Sequence, residues 1–481
     1  MNYNEATRRF VNQHLDDDVR QLALQHSTRH NSSSDKGEGG GDGDVDLPFA
    51  LDQIRGRQIA RRKLPTWAAI DGILYPPHLT MEQCSSEQTA RYKAAIVERL
   101  KNSLGEGRDG ALVDLTGGFG VDFAFMAQSL LTSSSEKCPT TSFYVERNPH
   151  LCDLARHNFP LLGLSNTEVV CSTTEEFLNT LWSNKKASLA GGGSEGANAS
   201  PAGRGLERAI FYLDPARRDD HGGRTYGIAD CSPNILELRD TLLANADYVL
   251  LKLSPMLDWR KAVSDLGEDC ISEVHIVSVH NECKELLVVL RKPHGENQEH
   301  SATTLYCVND QQLFTIQSSS LLDRSIGVLS PSLRSEDGVG LPTLPFREGL
   351  GVGSLYEPNA SIMKAGCFRE LCVQFGLVPV GPNSHLFVRN TDVADPSFMA
   401  ATDKDFPGRV FQISAISSMN KRSLRQHLQG ISQANIATRN FPLKPDELRR
   451  RLKLRDGGDS YLFGTTLADG SHVIIVCHKR V

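Results

Sequence analysis

No stretch of the 481-residue chain holds about 18 consecutive apolar residues, which argues against a membrane-spanning helix. The start, MNYNEATRRFVNQHLDDDVRQ, has neither the apolar core nor the small-residue cleavage site of a secretory signal, so a cytoplasmic location is expected. The eleven cysteines are odd in number and none stands in a C-x-x-C pair, which points to reduced thiols and to no metal site. A positive net charge is lacking too. The total of −6 argues against a wholly basic nucleic-acid binder, yet the charge is uneven. Residues 401–481 carry fourteen Lys plus Arg against seven Asp plus Glu, a local +7, which leaves −13 for residues 1–400. A basic tail on an acidic body is compatible with nucleic-acid contact by the tail, or with a solvated helix face in ELRRRLKLRDGGD. The length suits two or three domains with real cores.

What is present first is ALVDLTGGFGVDFAFMAQSL, residues 111–130. A short apolar run there reads as a buried parallel strand, and from Val121 the apolar residues follow one helix face. Three glycines lie at the strand-to-helix turn. Free backbone N–H groups and the helix dipole favour a polar or anionic ligand at such a turn, as in nucleotide sites. Further on, SFYVE precedes PHLCDLARHNF, TEVVCS precedes TEEFLNTLW, RAIFYLDP ends in a loop, and SPNILELRDTLLANA leads to DYVLLKLSP. This alternation implies a doubly wound parallel sheet with helices on both faces, a Rossmann-like α/β fold. EVHIVSVH and KELLVVLRK, separated only by Asn281, Glu282 and Cys283, must instead form an antiparallel hairpin. A parallel sheet ending in such a hairpin resembles class I S-adenosylmethionine-dependent methyltransferases.

A nicotinamide-binding turn would read G-x-G-x-x-G, but after Gly118 and Gly120 the third glycine is replaced by Phe123. The methyltransferase pattern, a carboxylate at the strand end and then a glycine-rich turn, is met by Asp114, Gly117, Gly118 and Gly120. Glu146, ending FYVE, stands where an acidic side chain would accept both ribose hydroxyls; alternatively it caps the next turn. VVCSTTEEFL offers Ser172 and Thr173 where an acidic adenine contact is usual, so no adenine contact is assigned.

On the acceptor side, strand RAIFYL ends in Asp214-Pro215-Ala216-Arg217-Arg218. The run resembles the Asp/Asn-Pro-Pro-aromatic signature of methyltransferases acting on exocyclic amines of bases, with Ala216 and Arg217 in place of proline and the aromatic. Asp214, fixed by Pro215, would accept an N–H and draw the nitrogen lone pair toward the methyl group. The guanidinium of Arg217 can stack on a base or clamp a phosphate. The other reading is that Asp214-Pro215 merely ends a strand. Asp-Pro-Ala-Arg also resembles uracil-C5 RNA methyltransferases, but LLKLSPMLDW lacks the cysteine that covalent chemistry on carbon requires. The loop at residues 219–233 is a candidate lid over the substrate.

The C-terminal half reads as α+β: strands TTLYCV and QLFTIQ, a helical YEPNASIMKAGCFRELCVQFGL, strands SHLFVRN and GRVFQISAI, helix KRSLRQHLQG, strand ANIATRNF, helix KPDELRRRLKL and a closing hairpin. With DLTGGFGVD, LDPARRDDHGGRTYG, YEPNASIMKAG, NSHLF, FPGRVF, ANIATRNFPL and LRDGGDSYLFGTT, the chain looks like bacterial class I methyltransferases with a THUMP-like C-terminal domain. The resemblance implies S-adenosylmethionine as cofactor and RNA as partner. Arg218, Asn435 and Arg439 are candidate substrate contacts; Asn435 could equally satisfy a turn. The expected organisation is a helical region 1–108 with an insert at 30–45, a methyltransferase domain 109–292 with an insert at 183–205, a ferredoxin-like linker domain 293–400 with an irregular insert at 318–354, and a basic THUMP-like domain 401–481. The leading expectation is N-methylation of an RNA base. The alternatives are methylation of a small molecule or protein, with Arg217 and Arg218 reading an acidic group, and a non-catalytic protein binding S-adenosylmethionine and RNA.

Overall fold

The structure, a computed structural model, describes residues 4–30, 45–105, 111–132, 141–189, 208–217, 227–292, 302–322, 353–389 and 402–480. The expected inserts lie outside these residues except at their edges, as do Arg218 and most of the candidate lid. The chain divides into two compact units, Met1–Leu253 with Val288–Gln298, and Ser254–Leu287 with Glu299–Val481.

The first unit opens with helices α1 (Glu5–Gln13), α2 (Val19–His30), α3 (Leu47–Lys63), α4 (Pro65–Ala68), α5 (His78–Gln83) and α6 (Glu87–Ser103). Asn4, Asp46 and Ser86 each accept the N–H of the residue three further on, which starts α1, α3 and α6. The alternation follows: β1 (Ala111–Asp114), α7 (Val121–Thr132), β2 (Thr141–Glu146), α8 (Pro149–Leu161), β3 (Thr167–Cys171), α9 (Thr174–Leu189), β4 (Ala209–Leu213), the two-residue strands β5 (Ala216–Arg217) and β6 (Cys231–Ser232), α10 (Ile235–Asn245) and β7 (Tyr248–Leu253). The sheet order is β3-β2-β1-β4-β7, parallel throughout. Every residue of β1 and β4 is buried, as central strands covered on both faces must be. The chain winds outward from β1 and returns on its other side at β4. The carboxyl ends of these two strands therefore flank the crevice where ligands bind in such sheets. Next to β7 lie residues 288–291 of β9 (Glu282–Arg291).

In the second unit, α11 (Trp259–Leu266) precedes β8 (Ile271–Val279), the start of β9, β10 (Thr303–Asn309) and β11 (Gln312–Ser318), in the order β9-β8-β10-β11. His280 and Asn281, both at positive φ, form the two-residue turn between β8 and β9, as a tight antiparallel hairpin requires. Then come β12 (Ser354–Pro358), α12 (Ala360–Ala365), α13 (Phe368–Phe375), β13 (Leu377–Pro379), β14 (Phe387–Arg389), β15 (Gly408–Ser418), α14 (Lys421–His427), β16 (Asn435–Arg439), α15 (Pro445–Leu452), β17 (Ser460–Thr466) and β18 (His472–Lys479). They build a seven-stranded sheet ordered β13-β14-β12-β15-β18-β17-β16. One apolar cluster holds Leu355, Phe411, Phe463 and Ile475; a separate one holds Leu448, Leu462 and Ile474, with Leu424 and Leu452 of α14 and α15 against it.

Some details differ from expectation. The sheet does not end at the hairpin: β10 runs parallel to β8, and β11 pairs with it in turn. The start of YEPNASIMKAG is strand, because Leu355 and Tyr356 are buried against β14 and β15; the helix begins only after Asn359, which caps it. Helix α9 continues through Ser183 to Leu189, into the expected insert. One sheet also joins segments expected apart, since β12 pairs with β15 from Ser354–Gln412 to Pro358–Gly408.

Candidate functional site

The glycine turn after β1 has a separate reason for each glycine. A Cβ on Gly117 would stand 2.3 Å from the ring of Tyr144, so this glycine answers to packing. Gly120 needs its positive φ of 81° and also meets Phe159. Gly118 has a φ of 60°, and only the Thr116 carbonyl oxygen, at 3.8 Å, would come within 4 Å of its Cβ. Its open side is where a ligand can approach. The Gly118 N–H donates to Glu146 Oε2 at 2.8 Å, and the Asn148 N–H to Oε1 at 2.7 Å. Each carboxylate oxygen thus keeps a lone pair, and the half-buried side chain can still accept from a ligand's diol. Asp114 is buried and receives the Thr116 N–H at 2.9 Å; burial pushes its carboxyl well above the ordinary range. These groups fit a nucleoside with free ribose hydroxyls. The acidic residue missing after β3 is also nearby in sequence. Glu176 accepts from the Ser172 hydroxyl at 3.2 Å and the Thr173 N–H at 3.3 Å, closing a capping box on α9.

Asp214 follows β4, and its N–H donates to the Thr116 hydroxyl at 2.6 Å. The backbone of Asp214 is thereby tied to the loop that begins the glycine turn. Pro215 is buried behind it. The backbone of Arg217 pairs with Cys231 in the small β5–β6 ribbon.

Three charged residues not singled out from the sequence reach Asp214. Lys252 on β7 places Nζ 2.6 Å from Asp214 Oδ2 and 3.5 Å from Asp122 Oδ2. Lys93 on α6, fully buried, lies 3.1 Å from Asp122 Oδ1. The Ser85 hydroxyl accepts from Lys93 at 3.2 Å and Lys252 at 3.1 Å and donates to Asp122 at 2.8 Å, while Tyr212 donates to Asp122 at 2.7 Å. Burial alone would raise Asp122, but the two lysines hold its carboxyl down to about 2. Partial burial raises Asp214 above the usual carboxylate value, with Lys252 pulling the other way. The sequence signal for Lys252 is a lysine inside the apolar run YVLLKL, and for Lys93 a lysine among Ala90, Ala94, Ile96 and Val97 on the buried face of α6.

Asn435 and Arg439 are both occupied. The Asn435 amide donates to the Gly458 carbonyl at 2.7 Å, and Arg439 meets the buried Glu357 at 3.0 Å, which Arg409 also holds. Among the described residues, no group of three or more His, Cys, Asp or Glu could hold a metal ion, and no helix is long and apolar enough to cross a membrane.

Residues 408–479 match the THUMP domain-like family and residues 355–396 a ferredoxin-like domain family. A solved protein of Porphyromonas gingivalis W83, described as a "putative methyltransferase", superposes with a TM-score of 0.70 at 28% identity over 100% of both chains. The chain has the fold of a methyltransferase, with a THUMP-like C-terminal domain. More distant likenesses include an S-adenosylmethionine-dependent methyltransferase from Agrobacterium tumefaciens (14% identity, 43% of this chain and 62% of that one, TM-score 0.26) and an rRNA methylase from Streptococcus thermophilus (16%, 43% and 96%, TM-score 0.25). Among curated proteins none matches. The THUMP-like domain exposes Lys421, Arg422 and Arg425 on α14 and Arg450 and Arg451 on α15. Both helices pack on the same apolar cluster through Leu424, Leu448 and Leu452.

Proposed function

We propose that the protein transfers a methyl group from S-adenosylmethionine to a nitrogen of an RNA base. The observation that carries this reading is the 2.6 Å hydrogen bond from the Asp214 N–H to the Thr116 hydroxyl, which ties the residue after β4 to the loop that opens the glycine turn. When bound, the cofactor supplies a methyl carbon on a sulfonium, which a nitrogen lone pair attacks in line while the carbon–sulfur bond breaks toward a neutral thioether. Glu146 accepts from the ribose hydroxyls and Gly118 leaves room for the backbone to approach. Asp214 accepts the N–H of the attacking nitrogen, turns its lone pair toward the methyl group, and is preorganised to oppose the positive charge that grows on that nitrogen. The excess proton leaves to solvent after transfer. RNA is supported by the THUMP-like match and by the exposed cations of α14 and α15.

The test is transfer of labelled methyl from S-adenosylmethionine to RNA, small-molecule and protein fractions of cells lacking the protein. Label in an RNA nucleoside on nitrogen is expected. The rate should fall in the order wild type, Asp214→Asn, Asp214→Ala, by on the order of 100-fold or more for Ala, with cofactor affinity nearly unchanged. Label only in a small molecule or protein would refute the RNA reading, and an Ala variant with normal turnover would remove Asp214 from the chemistry.

A further inference from the structure

We infer that Lys252 is a positioning residue for the acceptor carboxylate: it clamps Asp214 Oδ2, leaving Oδ1 to take the acceptor N–H. This rests on the methyl-transfer reading of the site. Lys93, Asp122, Lys252 and Asp214 form a linked quartet of two cations and two anions. The Lys93, Asp122 and Lys252 side chains are 0%, 10% and 13% exposed, whereas that of Asp214 is 41% exposed. The quartet runs from the interior of the fold and reaches solvent at one carboxylate. Such a network is a poor device for stability, because apolar residues of similar volume are commonly as stabilising or more so. It is a good device for holding one carboxylate in one orientation, with Lys252 countering the rise that partial burial imposes on it. Lys252 cannot swing away, since Ser85 and Asp122 hold its Nζ from behind. Asp122 is fixed in turn by Lys93, Ser85 and the hydroxyl of Tyr212.

The charged and titratable groups facing Asp214 are Lys252 on β7, Lys93 on α6, Asp122 on α7, Asp114 on β1 and, through Asp122, Tyr212 on β4. Lys252 and Lys93 favour the carboxylate; Asp122 and Asp114 oppose it. Removing the Lys252 charge therefore raises the pH at which Asp214 ionises, and the N–H acceptor is lost at pH values where the wild type keeps it.

The test uses the full-length protein and two readouts. In the cofactor-free protein, carbon-13 NMR of labelled aspartate follows the Asp214 carboxyl, assigned by its absence in Asp214→Asn. In Lys252→Met the titration should move up by about one pH unit or more, while Lys252→Arg stays near wild type. In methyl transfer, the acid limb of the rate profile should move up by the same amount in Lys252→Met, so that activity recovers at higher pH, with kcat affected more than KM. Lys252→Gln removes the same charge while keeping a polar side chain and serves if Lys252→Met does not fold; the same upward shift is expected of it. An Asp214 carboxyl that titrates as in wild type without Lys252 overturns the inference. So does a uniform loss of rate with an unmoved acid limb. If Asp214→Asn transfers methyl at the wild-type rate, the functional reading fails instead, and the NMR result then stands by itself.

Discussion

At the scale of single residues, Glu146 and Asp122 show the same side-chain chemistry put to opposite uses. Glu146 spends one lone pair of each oxygen on a backbone N–H, which leaves another on each. Glu146→Ala should weaken S-adenosylmethionine binding by roughly 1.5–3 kcal/mol for each charged hydrogen bond removed; titration calorimetry on the folded variant checks this, and unchanged affinity would remove Glu146 from the cofactor site. Asp122 instead serves the interior. Its folded-state value of about 2 lies below the ordinary 3.8, so its contribution to stability is present above about pH 4 and fades as the pH falls toward 2. Melting temperature should drop through that window in the wild type. Asp122→Asn should melt lower at neutral pH and lose less on acidification, because two buried lysines then lack their shared anion. The places of Glu146 at the end of β2 and Asp214 just after β4 were legible because each closes an apolar run with a carboxylate. Lys93 and Lys252 were not, because a lysine in an apolar run usually extends its stem and keeps its head in water. Only the fold brings their partners, from distant parts of the chain, to meet them.

Elements show how packing can imitate a ligand signal. Gly117 looks from sequence like part of a nucleotide cradle, yet the ring of Tyr144 occupies the space its Cβ would need. Gly117→Ala should destabilise the protein by roughly 1–3 kcal/mol, read as a lower denaturant midpoint with unchanged slope. A wild-type midpoint would mean that Tyr144 can move aside. The βα alternation was readable because each strand is a short apolar run bounded by turn residues. Helix α11 escaped notice although its signal is ordinary: Asp258 caps it, and Trp259, Ala262, Val263 and Leu266 follow one buried face. At two turns it is short enough to pass for a connection between strands. The strand character of β12 was hidden because Glu357 and Pro358 interrupt its apolar pattern. Glu357 is buried there because Arg409 and Arg439 neutralise it.

For the whole molecule, the seven-stranded sheet bears on how RNA binding is best tested. Cutting the chain before residue 402 would strip β15 from β12 and open the cluster around Leu355 and Phe411, so loss of binding would report misfolding. Charge reversal leaves the cores intact. Arg422→Glu with Arg451→Glu, both exposed, should weaken RNA binding and flatten its dependence on salt, by about 0.7 in log–log slope for each single-strand phosphate that is no longer neutralised. A filter-binding series across salt concentrations checks this, and an unchanged slope would place the RNA elsewhere.

The path of β9 also bears on the order in which the protein takes shape during synthesis. The unit that begins at the N-terminus is not complete when Leu253 leaves the ribosome, because Val288–Gln298 belong to it. Until those residues emerge, β7 stands as a bare edge with unpaired backbone groups, the kind of surface on which nascent chains stick to one another. Ser254–Leu287 must therefore be made, and the β8–β9 turn closed, before the first unit gains its last strand. The nascent chain cannot finish one unit and then start the next; its maturation is interleaved.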